Sequence, residues 1–440
     1  MQAKLSYVFY KMRTSFWFLP TAITLAAILL SQAVLVADRA VQPEWFRDIG
    51  GFFQIGPEGS RLLMSTIAGS MMTVTSLVFS LTLIALTMTS SQFGPRLLTS
   101  FMQDRVTQVV LGTFLGTFVY ALITLGSIHK ADEANFVPYV SIATAMVLAI
   151  GSFGVLIFFI HHIASSIQAD SIIARVTREL NSAIETQFGP ARGDGEAAED
   201  LSDLPERTDI EEESTVIRAN ANGYIQAIDH EGLVKIAREH GLLVWLDNRA
   251  GHFIVPGETV ALVGPADRVT AELQNAVADS FVVGRTHTMV QDLKFAVNAL
   301  VEISLRALSP GINDTYTAIA CIDNLSAALA NALKRTPPSP VLRDGDGAIR
   351  VVLNTITFDG LLGSAFNEIR QTAPGNVSVI IRLIEALTRI APFAATDAHR
   401  YAIRKQAEMI CRNYKDHVPE PDDHADIERR VERLNAVLES

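Results

Sequence analysis

Four long apolar stretches, residues 16–37, 62–90, 106–127 and 137–165, occupy most of the first 165 positions, and nothing comparable follows them. Crossing about 30 Å of hydrocarbon takes about 20 mostly apolar helical residues, so residues 1–165 read as a domain of four transmembrane helices. The first stretch has the basic flank of a signal peptide in Lys4, Lys11 and Arg13. Its apolar run is too long for a cleaved segment and no small-x-small site follows, so it is expected to stay.

The pattern then changes. Residues 166–188 read as a cytoplasmic helix. Between 216 and 265 the apolar runs shorten to 224–228, 242–246, 253–255 and 259–263, divided by Asn222-Gly223, Asp247-Asn248, Gly251 and Pro256-Gly257. Such spacing predicts a small β-barrel or sandwich with one short helix over 231–239. The 253–263 hairpin is similar to that of lipoyl carriers, but no lysine stands at its turn, so a structural or ligand-sensing module is expected. From 266 to 414 the period becomes helical, over 266–279, 290–308, 315–334, 349–370, 377–390 and 398–414, with a loop at 336–347. In the tail, 415–440, Ile427, Val431, Leu434 and Leu438 form one stripe, for a short coiled coil or for docking on its own domain. The fold class is thus an α-helical membrane domain followed by a cytoplasmic α+β region.

Charge refines this division. Residues 189–215 hold ten acids against two bases, −8 of the chain's net −11, with little to bury; they read as an acidic disordered linker. Even with the linker counted, the chain is 49% hydrophobic with a mean hydropathy of +0.26, which excludes disorder and an ordinary soluble enzyme. No basic face is offered to nucleic acid. The two cysteines, Cys321 and Cys411, suggest neither a disulfide framework nor a metal cage, and no cofactor is expected. Segments placed inside carry Lys4, Lys11, Arg13, Arg96, Arg105, Arg175 and Arg178, against Arg39, Arg47, Arg61 and Lys130 outside. That bias predicts an inner-membrane protein with both termini cytoplasmic.

Candidate chemistry centres on the second apolar stretch. Thr66, Thr73, Ser80 and Thr87 recur every seven residues, and Ser70, Ser76 and Ser90 fall within about 60° of that line on a helix. Such a face either lines a wet conduit or lets helices approach and hydrogen-bond, and Thr75, Thr82 and Thr89 make a second stripe opposite it. The four apolar cores hold no Asp, Glu, Lys or Arg, which disfavours a pump or voltage sensor and leaves passive conduction or a structural role. Gly112-Thr-Phe-Leu-Gly116, and Gly151 with Gly154, read as packing signals, and a pore would need several chains. At the cytoplasmic face stand Gln92, Arg96, His161 and His162; the two histidines diverge by about 100° on a helix, so anchoring or capping is the simpler role than metal ligation or pH sensing.

In the soluble part, Glu302 and Arg306 lie one turn apart and should pair. Ser309, Pro310 and Gly311 make a turn, and Asn313 or Asp314 caps the next helix. A carboxylate site from Glu302, Asp314 and Asp323 is the enzymatic alternative, but no P-loop, GxSxG or HExxH supports it.

Three segments, Ser91-Gln-Phe-Gly-Pro-Arg96, Phe159-Ile-His-His-Ile-Ala164 with Ser166-Ile-Gln168, and Ala307-Leu-Ser-Pro-Gly-Ile-Asn-Asp314, resemble the DUF2254 family of bacterial integral membrane proteins. Thr315 and Gly94 are mild departures, standing where the family has proline and serine. The resemblance implies a multi-pass inner-membrane protein with a cytoplasmic domain, and no activity. The function expected is a homo-oligomeric passive channel for a small ion or solute, lined by Thr66, Ser70, Thr73, Ser76, Ser80 and Thr87 and gated or capped by its cytoplasmic modules. The alternative is a non-conducting scaffold or sensor in the lipid bilayer whose soluble domain binds a ligand or partner.

Overall fold

The computed structural model describes residues 16–41, 56–94, 104–128, 136–191, 204, 206–288 and 291–439. It divides into two units, residues 1–171 and 172–440.

The first unit is built from α1 (Phe18–Val41), α2 (Pro57–Phe93), α3 (Arg105–Ser127) and α4 (Tyr139–Ser166). All four are long and apolar enough to span a membrane, because in hydrocarbon the helix satisfies its own backbone polar groups. The core of this unit gathers Met64, Ile67, Met71, Val78 and Ala85 of α2, Val110, Phe114 and Tyr120 of α3, and Ile142, Ala145 and Phe159 of α4. The Gly112/Gly116 pair seats α1 on α3. A Cβ at Gly112 would lie 2.8 Å from Ile23 Cδ1 and 3.0 Å from the Pro20 Cα, and one at Gly116 would lie 3.2 Å from Ala27 Cβ. Gly151 and Gly154 do not act this way within the protomer: both are exposed, with nothing near an added Cβ. Thr117 and Ser152 hydroxyls meet at 3.4 Å between α3 and α4.

The second unit opens with α5 (Ala169–Gln187), whose Ile172, Ile173, Val176, Leu180 and Ile184 are buried along one face. Two sheets follow. One has the order β1 (Thr215–Arg218), β5 (Thr259–Gly264), β3 (Leu243–Leu246), β8 (Ile349–Val352) and β7 (Val341–Arg343); the other has β4 (Phe253–Ile254), β2 (Gly223–Ile228) and β6 (Phe281–Gly284). Their shared core holds Ile217, Ile225, Leu233, Val244, Ile254, Val263 and Val351. Short helices α7 (His230–His240) and α8 (Ala271–Ala278) connect strands. A helical layer comprises α9 (Leu293–Ala307), α10 (Thr315–Leu333), α11 (Phe358–Thr372), α12 (Val377–Ile390), α13 (Asp397–Tyr414) and α14 (Pro421–Glu439). Asp292, Asp314, Thr357, Asn376 and Thr396 each cap one of these helices through the side chain.

Four sequence expectations are corrected. The sheets are not confined to 216–265, since β6, β7 and β8 come from the stretch read as helical. Residues 349–352, read as the start of a helix, form β8, because Val351 pairs in parallel with Val244 and is fully buried there. The predicted surface loop at 336–347 contains β7. Within the acidic segment, residues 207–213 form a helix, α6 (Arg207–Glu213), held by buried Ile210 and by Arg207 pairing with Asp247 at 3.0 Å; residues 192–203 lie outside the described residues. The tail helix docks on its own unit: Ile427, Leu434 and Leu438 are buried and Arg430 meets Glu385 at 3.1 Å.

The glycine contrast is testable in detergent-dispersed monomers. Gly112→Leu overpacks the α1–α3 contact and should cost about 1–3 kcal/mol, lowering the melting temperature, while Gly151→Leu should leave it unchanged.

Candidate functional site

The side of α2 that carries Met64, Ile67, Met71, Val78, Thr82, Ala85 and Thr89 is buried in the bundle. Geometry therefore turns Thr66, Ser70, Thr73, Ser76, Ser80 and Thr87 outward, and all six are exposed. The sequence stripe is thus real as a face, and it belongs to the outside of the protomer. The opposite stripe faces in, with Thr82 and Thr89 buried and Thr75 half-buried.

The outer hydroxyls fall into two classes. Thr66 donates to the Leu62 carbonyl at 2.8 Å, Thr73 to Gly69 at 3.0 Å, Ser76 to Met72 at 3.0 Å and Thr87 to Leu83 at 2.8 Å. Each of these is satisfied one turn back on its own helix. Ser70 and Ser80 have no hydrogen-bond partner among the described residues. Leu62, Leu77 and Ile84 alternate with the hydroxyls on the same face and are also exposed.

At one end of the bundle the helix ends at Phe93, where Gly94 takes φ 106° and returns its N–H to Ser90. Gln92 is exposed there, and Arg96 lies outside the described residues. At the end where α3 begins and α4 finishes, the two histidines part as their spacing requires. His161 is exposed, whereas His162 Nε2 meets Asp104 Oδ2 at 2.7 Å. Asp104 also accepts from the Val106 and Thr107 amides and from the Thr107 hydroxyl at 2.7 Å, capping α3. Burial alone would raise the Asp104 pKa and is the largest single influence, yet the Thr107 hydroxyl, His162 and the Val106 amide together bring it below the ordinary carboxylate value. At the other end, buried Asp38 of α1 accepts from the Val140 amide at 3.0 Å, the Ser141 amide at 2.9 Å and the Ser141 hydroxyl at 2.6 Å, capping α4.

The motif in the second unit behaves as a turn. Arg306 donates to Glu302 at 3.3 Å. Ser309 donates to the Arg306 carbonyl at 2.6 Å, and Pro310 and Gly311 carry the chain to Asn313, which takes φ 50°. Asp314 caps α10, accepting from the Thr317 amide at 3.1 Å and the Thr317 hydroxyl at 2.6 Å. The Thr317 hydroxyl, then its amide, depress the Asp314 pKa. Asp323 is held separately, by Arg389 at 3.0 Å and Arg382 at 3.4 Å. Glu302, Asp314 and Asp323 thus each have their own partner.

Reading the sequence missed Asp38 and Asp104. Asp104 had a usable signal, an acid three residues before Thr107 at the start of an apolar run; Asp38 had none, since its partners are about a hundred residues away.

Four membrane-length helices joined to a mixed α/β region define a multi-pass membrane protein. The chain belongs to the DUF2254 family, described as a predicted membrane protein, whose model matches residues 13–389. Similar chains include one from Mycobacterium bovis and one from Mycobacterium tuberculosis strain H37Rv, both described as uncharacterized, each 28% identical over 394 residues, covering 88% of this chain and 74% of the relative. No solved structure matches.

Two outcomes check the caps. A lowered folded pKa means that Asp104 stabilises the fold above the unfolded carboxylate pKa and loses that contribution as pH falls through its own lower value. Asp104→Asn should therefore flatten the acid side of the stability profile, measured as melting temperature against pH. Asp314→Ala should cost about 1 kcal/mol, within the ~0.5–2 kcal/mol of N-cap losses, in denaturant titration, and Asp314→Asn should recover much of it.

Proposed function

We propose that several copies of this chain associate around the outer face of α2 and that this face borders a passive pathway for a small ion or solute. The carrying observation is the pair Ser70 and Ser80, whose hydroxyls have no partner among the described residues and lie on the exposed face of α2. Leaving a hydroxyl unpaired in hydrocarbon costs about 2–7 kcal/mol, depending on the reference state, so each calls for water or a neighbouring chain. Exposed Leu62, Leu77 and Ile84 between the hydroxyls suit a lumen of mixed character. The absence of charged residues from position 62 to position 91 suits passive rather than ion-coupled movement. In this reading the protein sits in the inner membrane with both termini cytoplasmic, and it carries out no catalytic step.

One observation favours a dry alternative, a non-conducting scaffold: Thr66, Thr73, Ser76 and Thr87 are already bonded within their helix and do not need water. Cysteine placed at Thr73 or Ser80, after Cys321 and Cys411 are replaced by serine, distinguishes the two. Under conduction, charged thiol reagents modify it in liposomes and reduce ion flux, and the double change Thr73→Leu with Ser80→Leu abolishes the flux. Oxidative cross-linking between copies, with no reagent access and sealed vesicles, would replace the channel by the scaffold.

A further inference from the structure

The second unit contains a cleft of about 310 Å³ where the ends of several helices meet one loop. Phe188 follows the last turn of α5, Leu333 ends α10, Pro337 and Pro338 lie on the loop before β7, and Phe358 and Leu361 stand at the start of α11. Ala398 and His399, in the first turn of α13, complete the wall, and the His399 ring meets Phe358 edge-on at 5.1 Å. Interiors are packed closely enough that a gap the size of several waters is a feature of the fold. The proline loop is pinned at both ends. Thr336 accepts from the Gly189 amide at 2.8 Å and donates to the Pro190 carbonyl at 3.2 Å, and the Leu353 amide donates to the Pro340 carbonyl at 2.7 Å. Proline has a fixed φ and no N–H, which makes this wall stiff and apolar. The cleft therefore has the character of a preformed ligand pocket, apolar with a few polar groups.

The charges in the wall are already balanced. Arg335 pairs with Glu185 at 3.4 Å and donates to Asn331 and to the Gly189 carbonyl at the same distance, while Asp359 pairs with Lys405 at 3.2 Å. No spare charge is left to neutralise an ion, and moving an ion from water to mostly apolar walls is costly. Thr357 uses its hydroxyl oxygen to cap α11 through the Gly360 amide at 3.2 Å. Thr355, also in the wall, has a hydroxyl with no hydrogen-bond partner among the described residues. Size narrows the occupant further. An apolar cavity of about 150 Å³ holds one benzene ring, so a cleft of about 310 Å³ admits two fused rings. Phe188 and Phe358 offer such rings aromatic partners for stacked or edge-on contact.

We infer that this cleft binds an uncharged two-ring aromatic molecule bearing one hydroxyl or N–H group, which bonds to Thr355. The site lies wholly within the second unit and does not depend on the proposed pathway. Calorimetric titration of the full chain in detergent tests it, with indole, naphthalene and naphthoate each dissolved in the same micelles. Indole should bind saturably, and Ala398→Trp, which fills the cleft from an exposed helix position, should weaken it about tenfold or more. Thr355→Val keeps the shape and should weaken indole about two- to tenfold, the worth of one hydrogen bond, without changing naphthalene. Absence of saturable binding, or equal indole affinity in the parent chain and Ala398→Trp, overturns the site. An unchanged indole affinity in Thr355→Val also overturns it, and this arm stands even where Ala398→Trp destabilises the chain. Naphthoate binding more tightly than naphthalene, with the gain lost in Arg335→Gln, would replace the uncharged ligand by an anion.

Discussion

Hydrocarbon offers a polar group nothing to bond, and that single constraint organises the first unit. It makes the four spans helices, since only a helix closes its own N–H and C=O groups. It also governs the hydroxyls. A threonine or serine on a lipid-exposed face is tolerable when its O–H returns to the carbonyl one turn back, as at Thr66, Thr73, Ser76 and Thr87. Gly112 and Gly116 serve the same constraint by another route, because packing between apolar helices in lipid gains from close backbone approach.

The helix ends are handled by carboxylates that reach between elements. Asp38 leaves α1 to take the first free amides of α4, and Asp104 caps α3 while holding His162 near the other end of α4. One helix is therefore fixed at both ends by acids from different parts of the chain. An acid near a helix N-terminus meets unpaired amides and the positive end of the dipole at once. This is how a membrane bundle keeps two carboxylates without placing either in mid-span.

What could be read from the sequence follows from the range of each interaction. Span length, the seven-residue hydroxyl line, Gly112/Gly116, the Glu302–Arg306 pair and the Asp314 cap are local, and all appear at the residues expected. The outward direction of the hydroxyl face was not legible, because Thr75, Thr82 and Thr89 offered an equally regular stripe and only the packing of Met64, Ile67 and Val78 decides between them. Residues 349–352 carry too short an apolar run to tell strand from helix; β8 exists because β3, about a hundred residues earlier, supplies a parallel edge. The helix at 207–213 looked like part of an acidic tether, since one buried isoleucine and one long-range ion pair are invisible in composition.

The same grammar of capping acids runs through the second unit, at Asp292 and Asp314, and this makes its departures informative. Most of the capping and turn side chains named above find a partner inside their own unit, whereas the buried Thr89 and Tyr120 hydroxyls have no hydrogen-bond partner among the described residues. Ser70 and Ser80 on α2 differ from these in being exposed, and they too have no hydrogen-bond partner among the described residues. On the outer face of a membrane helix, water or a neighbouring chain is what the proposed reading supplies to these two serines.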